Sequence, residues 1–365
     1  MHSKVKEQFQ VSPSMVFFLI HAIQVGVGML GFQRTVAKYS GYDSWIPVII
    51  AGIIISVLIS MIYYILKVNH NDIIEVHRNL FGKWVGGFFS IIIILYFYAL
   101  GILVLRTYIE VIQVWVFEDI PTWLLTVLAA YFFCYLIEGG FRTVTGLCVA
   151  GVFIPSILFF VLLMPLQYGE FINFLPVWKH SLKNIILGVR ETTITYLGFE
   201  LLLLFYPFIK EGHRSQKWAQ LGHWTTVFVY TLLMLVTLSF FSEGQLNMTI
   251  WPTLTLLKII EFPFIERFEY LGISLWLIII IPNIGMAFWG ASRGIKRLFS
   301  IKQRYVIIVL MTAVVFIVPF LDNRQAVNTL NNTISHIGFW IIIAYIPIIF
   351  ICQFAGQKMR RKRKT

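Results

Sequence analysis

The feature that most constrains the fold is a series of long apolar runs separated by short polar segments. A helix that crosses a bilayer needs about 20 predominantly apolar residues, and ten runs approach or exceed that length. They cover about 12–38, 45–66, 84–116, 121–137, 145–165, 185–208, 221–242, 268–290, 305–321 and 334–354. The runs are continuous and lack the alternating pattern of a membrane β-barrel. The sequence therefore predicts an all-α integral membrane protein with ten transmembrane helices.

The residue balance supports this class, because 58% of the residues are hydrophobic and 13% are charged, which excludes an ordinary soluble protein. Lysine and arginine are unevenly divided between the predicted loops. Twenty lie on the side of the two termini and five on the other side. Since cytoplasmic loops carry the excess of basic residues, both termini are predicted to be cytoplasmic.

Part of the net charge of +12 lies in a basic C-terminal tail, residues 355–365, which contains QKMRRKRKT. Basic residues beside a membrane are attracted to anionic lipid headgroups by about 1 kcal/mol each. No motif for nucleic-acid recognition accompanies this charge. The partner predicted for the tail is therefore the lipid bilayer and not a nucleic acid.

Three glycines interrupt the first apolar run, in the stretch IQVGVGMLG. A glycine inside a helix costs about 1 kcal/mol relative to alanine, so Gly26, Gly28 and Gly31 together predict local unwinding. The alternative is close helix packing through a small-xxx-small pair, Ala22 with Gly26.

The sixth run carries a second interruption, which favours unwinding in both. Gly198, Glu200 and Pro207 lie within TITYLGFELLLLFYPF. A carboxylate at membrane depth costs at least about 2.5 kcal/mol and usually faces a cavity or a partner. Glu200 is therefore a candidate functional residue.

The two interrupted runs are the first of each half when ten helices are divided five and five. This pattern is typical of inverted-repeat transporters, whose discontinuous helices bind substrate near the midplane through freed backbone groups. The predicted repeats are 11–165 and 185–354, within one transmembrane domain of residues 1–365. Free N–H groups suit a carboxylate and free carbonyls suit an amine, so the ligand predicted is a small zwitterion, with a neutral polar molecule as the alternative.

Candidate walls of this pocket are aromatic Tyr96 and Tyr98 in the third run and the Pro282-Asn283 pair in the eighth. For each, helix packing or a proline kink is an equally valid interpretation. Arg106 and Glu110 are four residues apart and are predicted to pair on one helix face, with a proton relay as the alternative.

No residue pattern of an enzyme or a metal site is visible. Cys134, Cys148 and Cys352 are scattered through the apolar runs and are interpreted as buried apolar residues. A nucleophile with a base, a phosphate-binding loop and a His/Glu metal spacing are all missing from the sequence. We predict no catalytic activity, no cofactor and no metal.

Several segments resemble one family, the B subunits of bacterial spore germinant receptors. These are the spore germination permeases of the amino acid-polyamine-organocation transporter superfamily. The resemblance covers essentially the whole chain. It rests on FGKWVG (Phe81–Gly86), YLGFELLLLFYPF (Tyr196–Phe208), WPTLTLL (Trp251–Leu257), FIERFE (Phe264–Glu269) and the basic tail.

The resemblance implies a LeuT-like 5+5 bundle in the inner membrane of an endospore, assembled with a larger membrane A subunit and a lipoprotein C subunit. Such proteins sense a small germinant, an amino acid or in some cases a sugar, and trigger germination. The rival hypothesis is a free-standing secondary transporter of amino acids or polyamines. A third is a pore for ions or water lined by Glu200.

The ligand-binding residues implied by the resemblance and by the interruptions lie on four segments. They are Gly26, Val27, Gly28, Met29, Gly31, Tyr96, Leu100, Leu197, Gly198, Phe199, Glu200, Pro282 and Asn283. Gln33 departs from the family pattern, since many relatives have proline there. The fifth run lacks the buried lysine of proton-coupled relatives, and no Ser/Thr cluster indicates a sodium site, so the sequence does not support driven transport.

Overall fold

The structure is a computed structural model that describes residues 5–69, 71–260 and 267–362. Residues 264–266 of the FIERFE motif and residues 363–365 of the basic tail lie outside the described residues. The described chain is all-helical. In chain order its α-helices are α1 Met15–Gln24, α2 Phe32–Ser40, α3 Trp45–Asn69, α4 Ile73–Trp115, α5 Thr122–Glu138, α6 Phe141–Phe153, α7 Ser156–Val161, α8 Leu182–Thr195, α9 Leu202–Phe205, α10 Gln216–Phe240, α11 Glu243–Met248, α12 Pro252–Ile259, α13 Phe268–Phe299, α14 Gln303–Ile317, α15 Arg324–Trp340 and α16 Ile346–Lys362.

Seven helical segments of the described chain are long and apolar enough to cross a membrane. They are Trp45–Val68, Ile73–Trp115, Phe141–Tyr168, Gly212–Phe240, Phe268–Phe299, Gln303–Phe320 and Arg324–Gln357. Three shorter apolar helical segments are Met15–Gln24, Thr122–Glu138 and Phe199–Phe208. The chain is thus a multi-pass membrane protein, as the apolar runs predict.

The first apolar segment is interrupted at its glycines. Helix α1 ends at Gln24, a short 3-10 helix covers Val27–Leu30, and α2 begins at Phe32. Gly31 lies against the loop before α12, where an added Cβ would be 2.9 Å from the carbonyl oxygen of Ile250. Only glycine therefore permits this close approach.

The second interruption follows α8. Gly198 has φ +119° and precedes a 3-10 helix of Phe199–Leu201, which leads into α9. A Cβ on Gly198 would lie 2.6 Å from the carbonyl oxygen of Ile23 in α1. Glycine is required both for the backbone conformation and for this contact, so the second interruption touches the last turn of α1.

Long helices surround the two interruptions. Helix α13 packs against α4 and α6, and its Pro282 lies against Gly151 of α6. Helix α15 is joined to α16 by a π-helical turn, Ile341–Tyr345, shortly before Pro347. Proline removes one backbone donor, which is a common cause of such a turn. Of these long helices, α4, α13 and α15 border a cavity at the interruptions.

Candidate functional site

A cavity of 420 Å³ lies where the two interrupted segments face α4 and α15. Sequence-predicted residues that line it come from both interruptions, from α4 and from α13. They are Gly26, Val27, Gly28, Gly31, Leu100, Leu197 and Asn283. The cavity is within the 300–1,000 Å³ range of small-molecule sites. Gly26, Gly28 and Gly31 have no side chain, so backbone is part of the wall on the side of α1.

The N–H groups of Val27 and Gly28 are the chemically distinctive part of this wall. They belong to the first turn of the 3-10 helix, which has no side-chain cap. Neither group donates to a hydrogen-bond acceptor within the described residues. Two adjacent donors beside a cavity can bind an anionic or carbonyl oxygen.

Asn283 of α13 fixes the end of α1. Its Nδ2 lies 2.8 Å from the carbonyl oxygen of Ala22, 2.9 Å from that of Val25 and 3.0 Å from that of Ile279 in its own helix, so its two protons are shared among three acceptors. The last carbonyls of a helix have no partner within the helix, and the amide supplies one. A Cβ on Gly26 would lie 3.1 Å from Asn283 Oδ1. Asn283 therefore both holds the interruption and borders the cavity.

The other predicted site residues lie behind the cavity wall. Met29, Tyr96, Phe199 and Glu200 are buried, and none of them borders the cavity. The same is true of Gly198 and Pro282, whose contacts are those described above.

Glu200 is bonded on both carboxylate oxygens. The Tyr96 hydroxyl donates to Oε1 over 2.6 Å, and the N–H of Gly198 donates to Oε2 over 2.8 Å. No lysine, arginine or histidine in the described ranges pairs with this carboxylate. Glu200 joins the second interruption to α4, and this position does not support a pore lined by Glu200.

A second polar network, which the sequence analysis missed, is centred on Gln24 at the end of α1, a residue that also borders the cavity. The Tyr230 hydroxyl donates to the Gln24 carbonyl oxygen over 3.0 Å, and the Gln24 amide is 3.4 Å from the Tyr196 carbonyl. His223 of α10 lies 3.1 Å from the Gln24 side chain and 2.8 Å from the Gly52 carbonyl. The sequence signal for this network was the presence of a polar residue, Gln24 or His223, inside each of two otherwise apolar runs.

The ion pair at the charged rim of the cavity is not the Arg106–Glu110 pair that the sequence predicts. Glu110 pairs with Arg324 at the start of α15, and not with Arg106. The Arg324 guanidinium also lies 5.1 Å from the centre of the Trp251 ring. Glu110, Arg324 and Trp251 all line the cavity.

Arg106 has other partners, and they explain why the predicted pair does not form. Its Nε donates to the carbonyl oxygen of Leu321 over 2.7 Å, and its guanidinium also reaches the Asp322 carbonyl at 3.4 Å. These carbonyls follow the end of α14 and lack helical donors. The i,i+4 spacing on α4 makes contact between Arg106 and Glu110 possible but does not require it. Each side chain instead binds a partner from a distant segment.

Helix α15 contributes a polar wall opposite the glycines. Its cavity-lining polar residues are Asn328, Asn331, Asn332, Ser335 and His336. Their spacing of three, four and seven residues places them on one helix face. The stripe could have been recognised in the sequence, but the prediction did not include it.

Within the described residues, no group of three or more His, Cys, Asp or Glu side chains is placed to hold a metal ion. Cys134, Cys148 and Cys352 are free thiols, of which Cys148 is buried.

Comparisons with known proteins identify relatives over nearly the full length. A family model described as spore germination protein matches residues 10–327. Spore germination protein GerQB of Bacillus cereus is 46% identical over 354 residues, which cover 97% of this chain and 98% of the relative. Spore germination protein YndE of Bacillus subtilis (strain 168) is 26% identical, with 97% and 98% covered.

Solved transporter structures share the fold. A substrate-bound, outward-open Na⁺-coupled sialic acid symporter superposes with a TM-score of 0.65 at 12% identity. The superposition covers 92% of this chain and 79% of the symporter. At this identity the likeness shows the fold alone, which is the LeuT-like transporter fold.

Proposed function

The chain belongs to the spore germination protein family, as its motifs predict, and on that premise we propose that it is the nutrient-sensing B subunit of a germinant receptor. It binds a small germinant in the cavity at the two interruptions and passes the signal to partner subunits. The observation that carries the proposal is the pair of N–H groups, of Val27 and Gly28, that lie beside a 420 Å³ cavity and have no acceptor among the described residues.

The proposed architecture has ten transmembrane segments in a 5+5 inverted repeat. The seven long apolar helices, the 17-residue helix α5 and the two interrupted segments together make ten. The proposed repeats cover residues 11–165 and 185–354, followed by the basic tail from 355. Both termini are on the cytoplasmic side, since the basic residues concentrate there, and the membrane is the inner membrane of the spore.

The proposed ligand is an amino acid, with a sugar as the alternative. A carboxylate would accept hydrogen bonds from the N–H groups of Val27 and Gly28, near the start of α2. The amide and hydroxyl groups of α15 face it across the cavity and suit either ligand. Tyr96, Phe199 and Glu200 act in this proposal by holding the backbone in place. No step of the proposal is enzymatic.

The proposed partners are a membrane A subunit and a lipoprotein C subunit, because the relatives of this chain are B-type germination proteins. Ligand binding can drive such an assembly only if the ligand prefers one conformation, by about 1.4 kcal/mol for each tenfold change in population.

A second candidate function is free-standing secondary transport of an amino acid or polyamine. The likeness to a symporter fold favours it. Uptake by the purified chain alone in liposomes, driven by an ion gradient, would establish transport. The receptor proposal expects binding without such uptake.

A germination experiment tests the receptor proposal. Spores of a host that lacks the gene are complemented with the wild-type chain, with Gly28→Leu or with Gly146→Leu. A Cβ at Gly28 meets only Thr195, at 3.5 Å or more, and a Cβ at Gly146 meets nothing within 4 Å, so both variants are expected to accumulate. Gly28→Leu fills the cavity and should abolish the response to the germinant, whereas Gly146→Leu should retain it.

Equal abundance of the three chains in spore membranes is the required control, measured by immunoblot. The proposal would be overturned if spores that lack the gene germinated at the wild-type rate on every amino acid and sugar tested.

A further inference from the structure

A second cavity, of 610 Å³, lies at the C-terminal end of α13, away from the ligand cavity. Its walls come from the segment before α1, the turn between α5 and α6, and helices α13 and α14. Aromatic side chains form much of it: Phe9, Phe141, Phe208 and Trp289.

The charges around this cavity are predominantly positive. Lys6, Arg293, Lys296 and Arg304 border it, and Glu138 is the acidic residue among them. Arg304 uses that carboxylate, with Nε 3.1 Å from Glu138 Oε1. The other three cations form no ion pair with any described residue.

Arg293 is the most confined of these cations. Its guanidinium lies 4.9 Å from the centre of the Phe208 ring, and its Nε is buried without a hydrogen-bond partner in the described chain. Asp72, at the N-cap of α4, attracts Arg293 electrostatically but forms its ion pair with Arg297, over 2.9 Å. Lys296 is close enough to repel Arg293 electrostatically. Confining an unpaired cation is costly, and a bound anion would offset that cost.

We propose that this cavity binds a phosphate group, carried by an anionic phospholipid headgroup or by a soluble phosphate. A guanidinium binds phosphate through two parallel hydrogen bonds, and an ammonium adds a point charge. Basic pockets between transmembrane helices on the cytoplasmic side are suited to anionic headgroups. The aromatic walls would contact the apolar part of a lipid.

Thermal unfolding of the full-length protein in nanodiscs tests this inference. One arm compares phosphatidylcholine discs with discs that also contain phosphatidylglycerol. The other arm titrates inorganic phosphate into phosphatidylcholine discs. A rise in Tm with phosphatidylglycerol alone assigns the site to a lipid, and a rise with inorganic phosphate alone assigns it to a soluble anion. No rise in either arm overturns the proposal.

Arg293→Gln and Lys296→Gln remove the two cations in separate variants, so that a failure of one to fold leaves the other. Each variant is expected to lower the affinity for the stabilising anion at least about tenfold. Arg214→Gln is the matched control, because Arg214 is 68% exposed, pairs with Glu211 and does not border this cavity. A response in both test variants equal to that of the wild type would contradict the assignment.

Discussion

The hydroxyl of Tyr96 on α4 donates a hydrogen bond to Oε1 of Glu200 over 2.6 Å, and through it α4 holds the interruption that follows α8. The other carboxylate oxygen accepts the N–H of Gly198. One buried acid thus fixes a helix and a strained glycine in a single arrangement. An acidic residue at membrane depth usually marks a functional site. Here Glu200 positions the backbone next to the candidate site and does not border the cavity.

Glu200→Gln should lower the stability of the protein. Its amide can keep one oxygen for Tyr96, but its NH₂ group would then face the N–H of Gly198, donor against donor. An unsatisfied buried group costs about 1–3 kcal/mol, which thermal unfolding in detergent micelles should detect as a lower Tm. Tyr96→Phe should lower Tm in the same direction. An unchanged Tm in both variants would show that these bonds do not stabilise the fold.

Gly198→Ala should reduce the yield of folded protein. The backbone conformation at φ +119° costs about 1–3 kcal/mol for a residue other than glycine, and the new methyl group would clash with the Ile23 carbonyl. Gly146→Ala is the control, since a Cβ there meets nothing within 4 Å. The measurement is the monodisperse fraction in size-exclusion chromatography. Equal fractions for the two variants would be inconsistent with the close contact of Gly198 with Ile23.

Glu110 and Arg324 should be energetically coupled across the rim of the cavity. In a double-mutant cycle with Glu110→Gln and Arg324→Gln, we expect a coupling energy of about 0.5–3 kcal/mol in the free energy of unfolding. The cycle of Glu110→Gln with Arg106→Gln should give a smaller value, because Arg106 bonds to backbone carbonyls. The reverse order of the two couplings would restore the pairing predicted from the sequence.

Asp43, in the loop between α2 and α3, should make stability depend on acid pH. Burial by itself raises the pKa of this carboxyl, but hydrogen bonds from the His180 ring and from the backbone N–H groups of Trp178, Lys179 and His180 outweigh it and lower the pKa.

Because the folded pKa is below the unfolded value of about 3.9, the stabilisation is complete above that pH. It is lost as the pH falls through the folded pKa. Tm should therefore fall below about pH 4 in the wild type and much less in Asp43→Asn. Parallel pH profiles of the two proteins would contradict this account.

The positions of the two interruptions could be predicted because they depend on local chemistry. Gly26, Gly28 and Gly31 destabilise a helix whatever the surrounding tertiary structure. Gly198 has the same effect, and it lies two residues from Glu200. The runs of apolar residues similarly predicted membrane helices from length alone. These features need no knowledge of how the segments pack.

The partners of charged and polar residues could not be predicted in the same way. Glu110 lies four residues from Arg106, yet it pairs with Arg324, more than 200 positions away. The contacts of Gln24 with His223 and of Asn283 with α1 also join distant segments. Such pairs are decided by tertiary packing, which spacing along one helix does not report.

Ligand binding by the purified protein tests the central claim most directly. A panel of amino acids and sugars is titrated against the wild type, Gly28→Leu and Gly146→Leu by isothermal calorimetry. We expect at least one ligand to bind the wild type and Gly146→Leu with the same Kd, and to lose its affinity for Gly28→Leu at unchanged Tm. Undiminished binding of that ligand to a folded Gly28→Leu protein would contradict a site at the interruption of the first segment.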